Sequence, residues 1–129
     1  MEKKENSEAR REMYDGSLEE KILSETTIFD GVVFTVKKLT VQLPDGKEAF
    51  REVIEHRGGA TIVPVDEEGN LYMVRQCRIA TGEILYETPA GKLEIGEDPY
   101  ECAVRELTEE TGLTAGNVTL LSSFYPTPG

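Results

Sequence analysis

Three glutamates carry the first chemical signal in this sequence. Glu106, Glu109 and Glu110 fall at i, i+3 and i+4, a spacing that crowds their carboxylates onto one arc of a helix. Like charges so placed cost roughly 0.2–0.5 kcal/mol per pair. Glu109 and Glu110 also stand near the helix end, where the dipole disfavours anions. A bound divalent cation reverses the sign of both terms. All-oxygen donors point to a hard ion, Mg2+ or Mn2+, rather than zinc. The competing account is a solvated acidic face, with Arg105 softening the repulsion by pairing with Glu109 at i+4.

The helix that must position them has clear limits. Asp98 can cap it, Pro99 suits its first position, and Glu101 completes a capping-box-like pattern. Gly112 suits a left-handed exit. Tyr100, Ala103, Val104 and Leu107 form one apolar stripe, and Cys102 is expected to face away from the glutamates and be inert. Upstream, residues 26–43 are rich in β-branched and aromatic types. Phe34 and Val36 alternate on one parity, and Leu39, Val41 and Leu43 on the other. That slip predicts a bend or bulge near Lys37 and Lys38. Pro44, Asp45 and Gly46 signal a turn, and residues 49–56 return as a hairpin partner. Residues 60–65 and 71–77 read as strands joined by a tight 66–70 loop, 84–87 as a short strand, and 118–125 as one more. Strands flanking one strong helix give an α/β or α+β domain.

Bulk properties exclude several classes. A chain of 129 residues suffices for one domain, and its polar composition reads as soluble and globular. No stretch approaches the ~18 apolar residues of a membrane span, and the charged start, residues 1–11, is not a secretory signal. Cys77 and Cys102 form no CxxC or CxxH pattern, so a reduced cytoplasmic setting is the simplest expectation. A net charge of −11 argues against general nucleic-acid affinity. It leaves room for a small anionic ligand, which needs only a few arginines and a cation. His56, the one histidine, receives no role, and Arg75 is expected to turn to solvent. Phe50 and Tyr86 are expected to pack.

Residues 91–113 settle between the two accounts of the glutamates. Gly91, Glu97, Arg105, Glu106, Leu107, Glu109, Glu110, Gly112 and Leu113 occupy every fixed position of G-x5-E-x7-R-E-U-x-E-E-x-G-U, with U aliphatic. The segment therefore resembles the Nudix box. Further stretches resemble the ADP-ribose pyrophosphatase branch in order and spacing: Arg51 to Val53, Gly58 to Ala60, Val74 to Arg78, Glu87 to Gly91, and Phe124 to Gly129. The likeness spans about residues 26–129.

The resemblance implies a Nudix fold, a mixed sheet sandwiched with the box helix and preceded by an antiparallel hairpin. It divides the chain into a flexible or short helical start (1–23), a hairpin region (24–57) and a Nudix core (58–129). By the same likeness Glu106 and Glu110 are the main metal ligands, and Glu109 binds metal or acts as base. The Ala90 carbonyl is a backbone ligand, Glu97 an auxiliary one, and Arg105 orients the catalytic glutamate. Arg51, Glu52 and Arg78 match positions that contact the diphosphate or terminal ribose. The implied reaction is Mg2+-dependent hydrolysis of ADP-ribose to AMP and ribose 5-phosphate, Mn2+ being the other metal. No tryptophan is present to stack the adenine. Alternatives are another nucleotide sugar such as GDP-mannose, a non-catalytic binding module, or an acidic structural domain. The branch normally continues for several dozen residues beyond the position of Gly129, so the core is expected to be truncated. The branch often dimerises by exchanging N-terminal strands, which makes a homodimer the expected state, without nucleic-acid or membrane partners.

Overall fold

The computed structural model describes Gly16 and residues 18–129, so the expected flexible or short helical start over 1–23 lies outside it for residues 1–15 and 17, whereas residues 21–23 already belong to a strand. The chain divides into two compact units, Met1–His56 and Arg57–Gly129.

The described part of the first unit is an antiparallel sheet of β1 (Lys21–Asp30), β2 (Phe34–Gln42) and β3 (Glu48–His56), in that order. The β2–β3 turn falls at Pro44, Asp45 and Gly46, closed by the Gly46 amide donating to the Leu43 carbonyl at 2.9 Å. β2 and β3 pair without interruption from Phe34↔His56 to Gln42↔Glu48. The parity change in β2 is therefore no slip. Val36 and Leu39 point to opposite faces of one regular strand, and both faces carry apolar side chains. The irregularities sit in β1 instead, between Ile22 and Ser24 and between Thr27 and Phe29. The second lies opposite Lys37 and Val36, so the expected place was right and the strand carrying the extra residue was not. Val41, 2% exposed, is the buried side chain of this unit among the described residues. Lys37 spans the sheet to Glu25 and Glu55, which raises its pKa through hydrogen bonds to both.

The second unit holds β4 (Gly59–Thr61), β5 (Val74–Arg78), β6 (Glu83–Glu87), β7 (Ala90–Lys92) and one described helix, α1 (Pro99–Thr111). β4 pairs with β7 and β5 with β6, both antiparallel. β4 and β5 are shorter than the expected strands over 60–65 and 71–77, and β6 covers the expected 84–87. Between residues 60–65 and 71–77 only the Val65↔Leu71 bridge forms, because Pro64 has no amide to donate. Residues 118–125 form no strand, and Leu120, Leu121 and Phe124 are exposed. Their β-branched and apolar character favours a ladder only where a neighbour accepts one.

The helix forms where its signals placed it. The Asp98 carboxylate accepts from the Tyr100 amide at 2.8 Å, and Gly112 leaves at φ 73° with its amide on the Thr108 carbonyl. Its buried face differs from the expected stripe. Cys102, Ala103 and Leu107 are buried, and Tyr100 is exposed. The helix packs on β4 and β7, and Cys102 lies against the Gly91 and Lys92 carbonyls. A small, weakly polar thiol suits that close approach better than a phenol ring.

Candidate active site

Cys102, Glu106 and Glu110 follow one another at four-residue steps and so share one helix face. That face meets β7, so Cys102 does not face away from all the glutamates as expected. A Cβ on Gly91 would overlap the Glu106 carboxylate, so glycine is required for this acid to lie against the β7 backbone. The Ala90 amide donates to Glu110 Oε2 at 3.1 Å. Two carboxylates are thus held at the Ala90–Gly91 backbone, within part-buried hydrogen bonding rather than on an open acidic surface.

Arg105 organises the other side of this face. Its guanidinium grips Glu97 with two bonds, Nε to Oε1 at 2.8 Å and a terminal nitrogen to Oε2 at 3.0 Å. The other terminal nitrogen donates to Glu106 at 2.7 Å and to Glu109 at 3.2 Å. The planar fork suits this sharing. Glu97 is also fixed by the Glu94 amide at 2.9 Å. Hydrogen bonds from Arg105, then from that amide, hold the Glu97 carboxyl at a pKa of about 2. Glu97 and Glu106 in turn push the Arg105 pKa above its usual value. Cys102 lies beside this pair, accepting from Arg105 at 3.5 Å. Burial, reinforced by the Glu97 charge, raises its thiol pKa.

A cleft of ≈ 620 Å³ adjoins the helix face, lined among others by Thr61, Gln76, Arg78, Ala90, Gly91 and Glu106. β5 alternation directs Gln76 and Arg78 to one side and Arg75 to the other. Arg78 pairs with Glu87, with Nε to Oε1 at 2.8 Å. That bond raises the Arg78 pKa, the Glu110 charge adding to it, and lowers that of Glu87. Arg75 sits 5.5 Å from the Tyr86 ring centroid and is exposed, as expected. Gln76, which donates to Glu110 at 2.7 Å, and Glu87 were not singled out from the sequence. The parity of β5 could have grouped Gln76 with Arg78.

The site residues expected from the sequence therefore divide by unit. Ala90, Glu97, Arg105, Glu106, Glu109 and Glu110 all lie in the second unit, in two hydrogen-bonded groups, Arg105 with Glu97, Glu106 and Glu109, and Glu110 with Ala90. Ala90 and Glu106 share a cleft with Arg78. Arg51 and Glu52 are exposed neighbours on β3 of the first unit, where Arg51 pairs with Glu20. Among the described residues, no three acidic, histidine or cysteine side chains converge as a preformed cation cage. Glu106 and Glu109 turn to Arg105, and Glu110 to Gln76. The donor set still fits a hard cation: carboxylate and carbonyl oxygens, beside a glycine without which Glu106 could not approach.

Both parts of the chain match known protein families. Residues 55–129 match the model of the NUDIX domain, and residues 20–54 that of the nucleoside diphosphate sugar hydrolase N-terminal domain. The chain is 44% identical over 113 residues to an ADP-ribose pyrophosphatase of Bacillus subtilis, covering 88% of this chain and 61% of that protein. It is 41% identical over 108 residues to an ADP-ribose pyrophosphatase of Mycobacterium tuberculosis, covering 83% and 52%. A solved structure of an ADP compounds hydrolase aligns with a TM-score of 0.72 at 28% identity, covering 84% of this chain and 60% of that one. The chain thus spans about three fifths or less of the length of these proteins. No helix among the described residues is long and apolar enough to cross a membrane.

Proposed function

The chain belongs to the Nudix family, and from that premise we propose that it hydrolyses the diphosphate of ADP-ribose or a similar nucleoside diphosphate sugar, releasing AMP and ribose 5-phosphate from ADP-ribose. The observation that carries this reading is the seating of Glu106 and Glu110 at the Ala90–Gly91 backbone, on a cleft shared with Arg78. Relatives at 44% and 41% identity carry the name ADP-ribose pyrophosphatase, whereas those named GDP-mannose pyrophosphatase are 33% identical, which favours ADP-ribose.

Glu106, Glu110 and the Ala90 carbonyl would hold Mg2+ or Mn2+, with Glu109 and Glu97 as further acidic positions. What such an ion supplies is neutralisation of the diphosphate and a more acidic water. The chain's own residues do the rest. Arg105 fixes Glu106 and is itself anchored by Glu97. Glu109 is the most exposed of the three helix acids, 59% exposed with a 3.2 Å bond to Arg105, and so is open to take the proton of the attacking water. The water oxygen bonds one phosphorus, and the bridging oxygen leaves with the other phosphate. Arg78, braced by Glu87, meets the diphosphate or terminal ribose from the cleft wall. By the family resemblance alone, Arg51 and Glu52 are proposed as further substrate-contacting residues. We place the protein in the cytoplasm, where free thiols such as Cys77 and Cys102 persist. We also propose a homodimer formed through the N-terminal strands, where Phe29, Phe50 and Ile54 expose apolar surface.

Incubation with ADP-ribose and MgCl2, followed by chromatography for AMP, tests the reading. AMP should form, stop with EDTA, and fall sharply in Glu109→Gln and Glu110→Gln. Undiminished turnover in both variants would remove the acidic face from the mechanism. Faster turnover of GDP-mannose would change the substrate. A ligand-induced rise in melting temperature without AMP would mark a binding domain.

A further inference from the structure

We propose that Gln76 is a positioning residue for Glu110, aiming its carboxylate with a neutral donor so that no hydrogen-bonded arginine competes with a cation for it. The proposal rests on the reading of Glu110 as a metal ligand. β5 alternation turns Gln76, half-buried, into the cleft beside Arg78. Its Nε2 donates to Glu110 Oε1 at 2.7 Å. A carboxylate only accepts, so the glutamine must present its NH2 side. The other oxygen, Oε2, accepts from the Ala90 amide at 3.1 Å. Glu110 is therefore oriented at both oxygens, from β5 and from β7, by groups without net charge.

Its two neighbours are treated differently. Glu106 and Glu109 share one terminal nitrogen of Arg105, whose positive charge offsets theirs. A cation approaching this face meets two glutamates hydrogen-bonded to arginine and one that is not, Arg78 reaching Glu110 only through its field. Each carboxylate oxygen accepts more than one bond, so the bonds from Gln76 and Ala90 leave capacity for an ion. Fixing the side chain beforehand removes the rotamer entropy a flexible glutamate would lose on binding. Groups that orient metal ligands in this way typically change metal affinity by 10–100-fold when removed.

The test is Mn2+ binding to the whole chain, by calorimetry or by loss of the free-ion paramagnetic resonance signal. Gln76→Met keeps length and removes the donor, and Gln76→Leu is a second donor-free variant should Met disturb folding. Gln76→Lys keeps a donor but adds a positive charge. Thermal melting checks the fold of each. Met or Leu should weaken Mn2+ binding about tenfold. Turnover, where measured, should return towards the parent value at saturating Mn2+. Lys should weaken binding at least as much, although it can still donate. Equal Mn2+ affinity in the parent and a folded donor-free variant overturns the positioning role and leaves Glu110 a ligand. Parent-like binding by Gln76→Lys overturns the requirement for a neutral donor. A parent that binds no Mn2+ at millimolar concentration overturns the metal reading and this proposal together.

Discussion

At the scale of single residues, Arg105 is the centre of charge on the helix face, and Glu97 is its anchor. Its consequence for stability has a definite sign. The Glu97 carboxyl is held near pH 2 against an ordinary 4.5, so the folded state binds its proton less readily than the unfolded chain. The stabilisation is complete above about pH 4.5 and is lost as pH falls towards 2. The melting temperature should therefore drop through that window, and Glu97→Gln should flatten this part of the profile while lowering the plateau above it. An equal slope in the variant would show that other carboxylates govern acid unfolding. The acidic helix positions were legible because their spacing is local. Cys102 was misread, although its place four residues before Glu106 puts the two on one face. Gln76 was not legible, since nothing in β5 states which element its polar face will meet.

At the scale of elements, the helix boundaries were written in Asp98, Pro99 and Gly112, whose effects act within a turn. Replacing Asp98 by Ala removes the acceptor for the Tyr100 amide and should cost about 1 kcal/mol. Urea denaturation measures this, and a loss below a few tenths would mean that water caps the helix equally well. The strands were less legible. Pro64 broke a ladder that the apolar run around it suggested, and residues 118–125 found no partner among those described. Strand pairing depends on a distant segment, and the alternation pattern specifies a face rather than a neighbour. The buried face of the helix includes Cys102, which lies against the β7 backbone, and leaves out Tyr100 in the first turn.

At the scale of the whole molecule, a net charge of −11 surrounds a site proposed to take an anionic substrate. The long-range field favours the cation and opposes the diphosphate. Salt screens that field, with a Debye length of about 30 Å at 0.01 M and 8 Å at 0.15 M. At fixed, saturating Mg2+, kcat/KM for ADP-ribose should rise a few-fold between those ionic strengths. A steep fall would show that local arginines such as Arg78 dominate the encounter. The double match to an N-terminal module and a NUDIX domain divides the chain at residues 54 and 55, close to the division between the two compact units.

The contact between Gly91 and Glu106 also bears on how this gene can vary. Every missense change in a glycine codon introduces a Cβ, and at position 91 that atom would occupy the space of the Glu106 carboxylate. Position 91 therefore has no neutral neighbour in sequence space while Glu106 keeps its place. A saturation library selected for activity should return only synonymous codons there, whereas alanine should be recovered readily at Gly116, where an added Cβ meets nothing. An active Gly91→Ala clone would show that the helix can withdraw from the strand without losing the site.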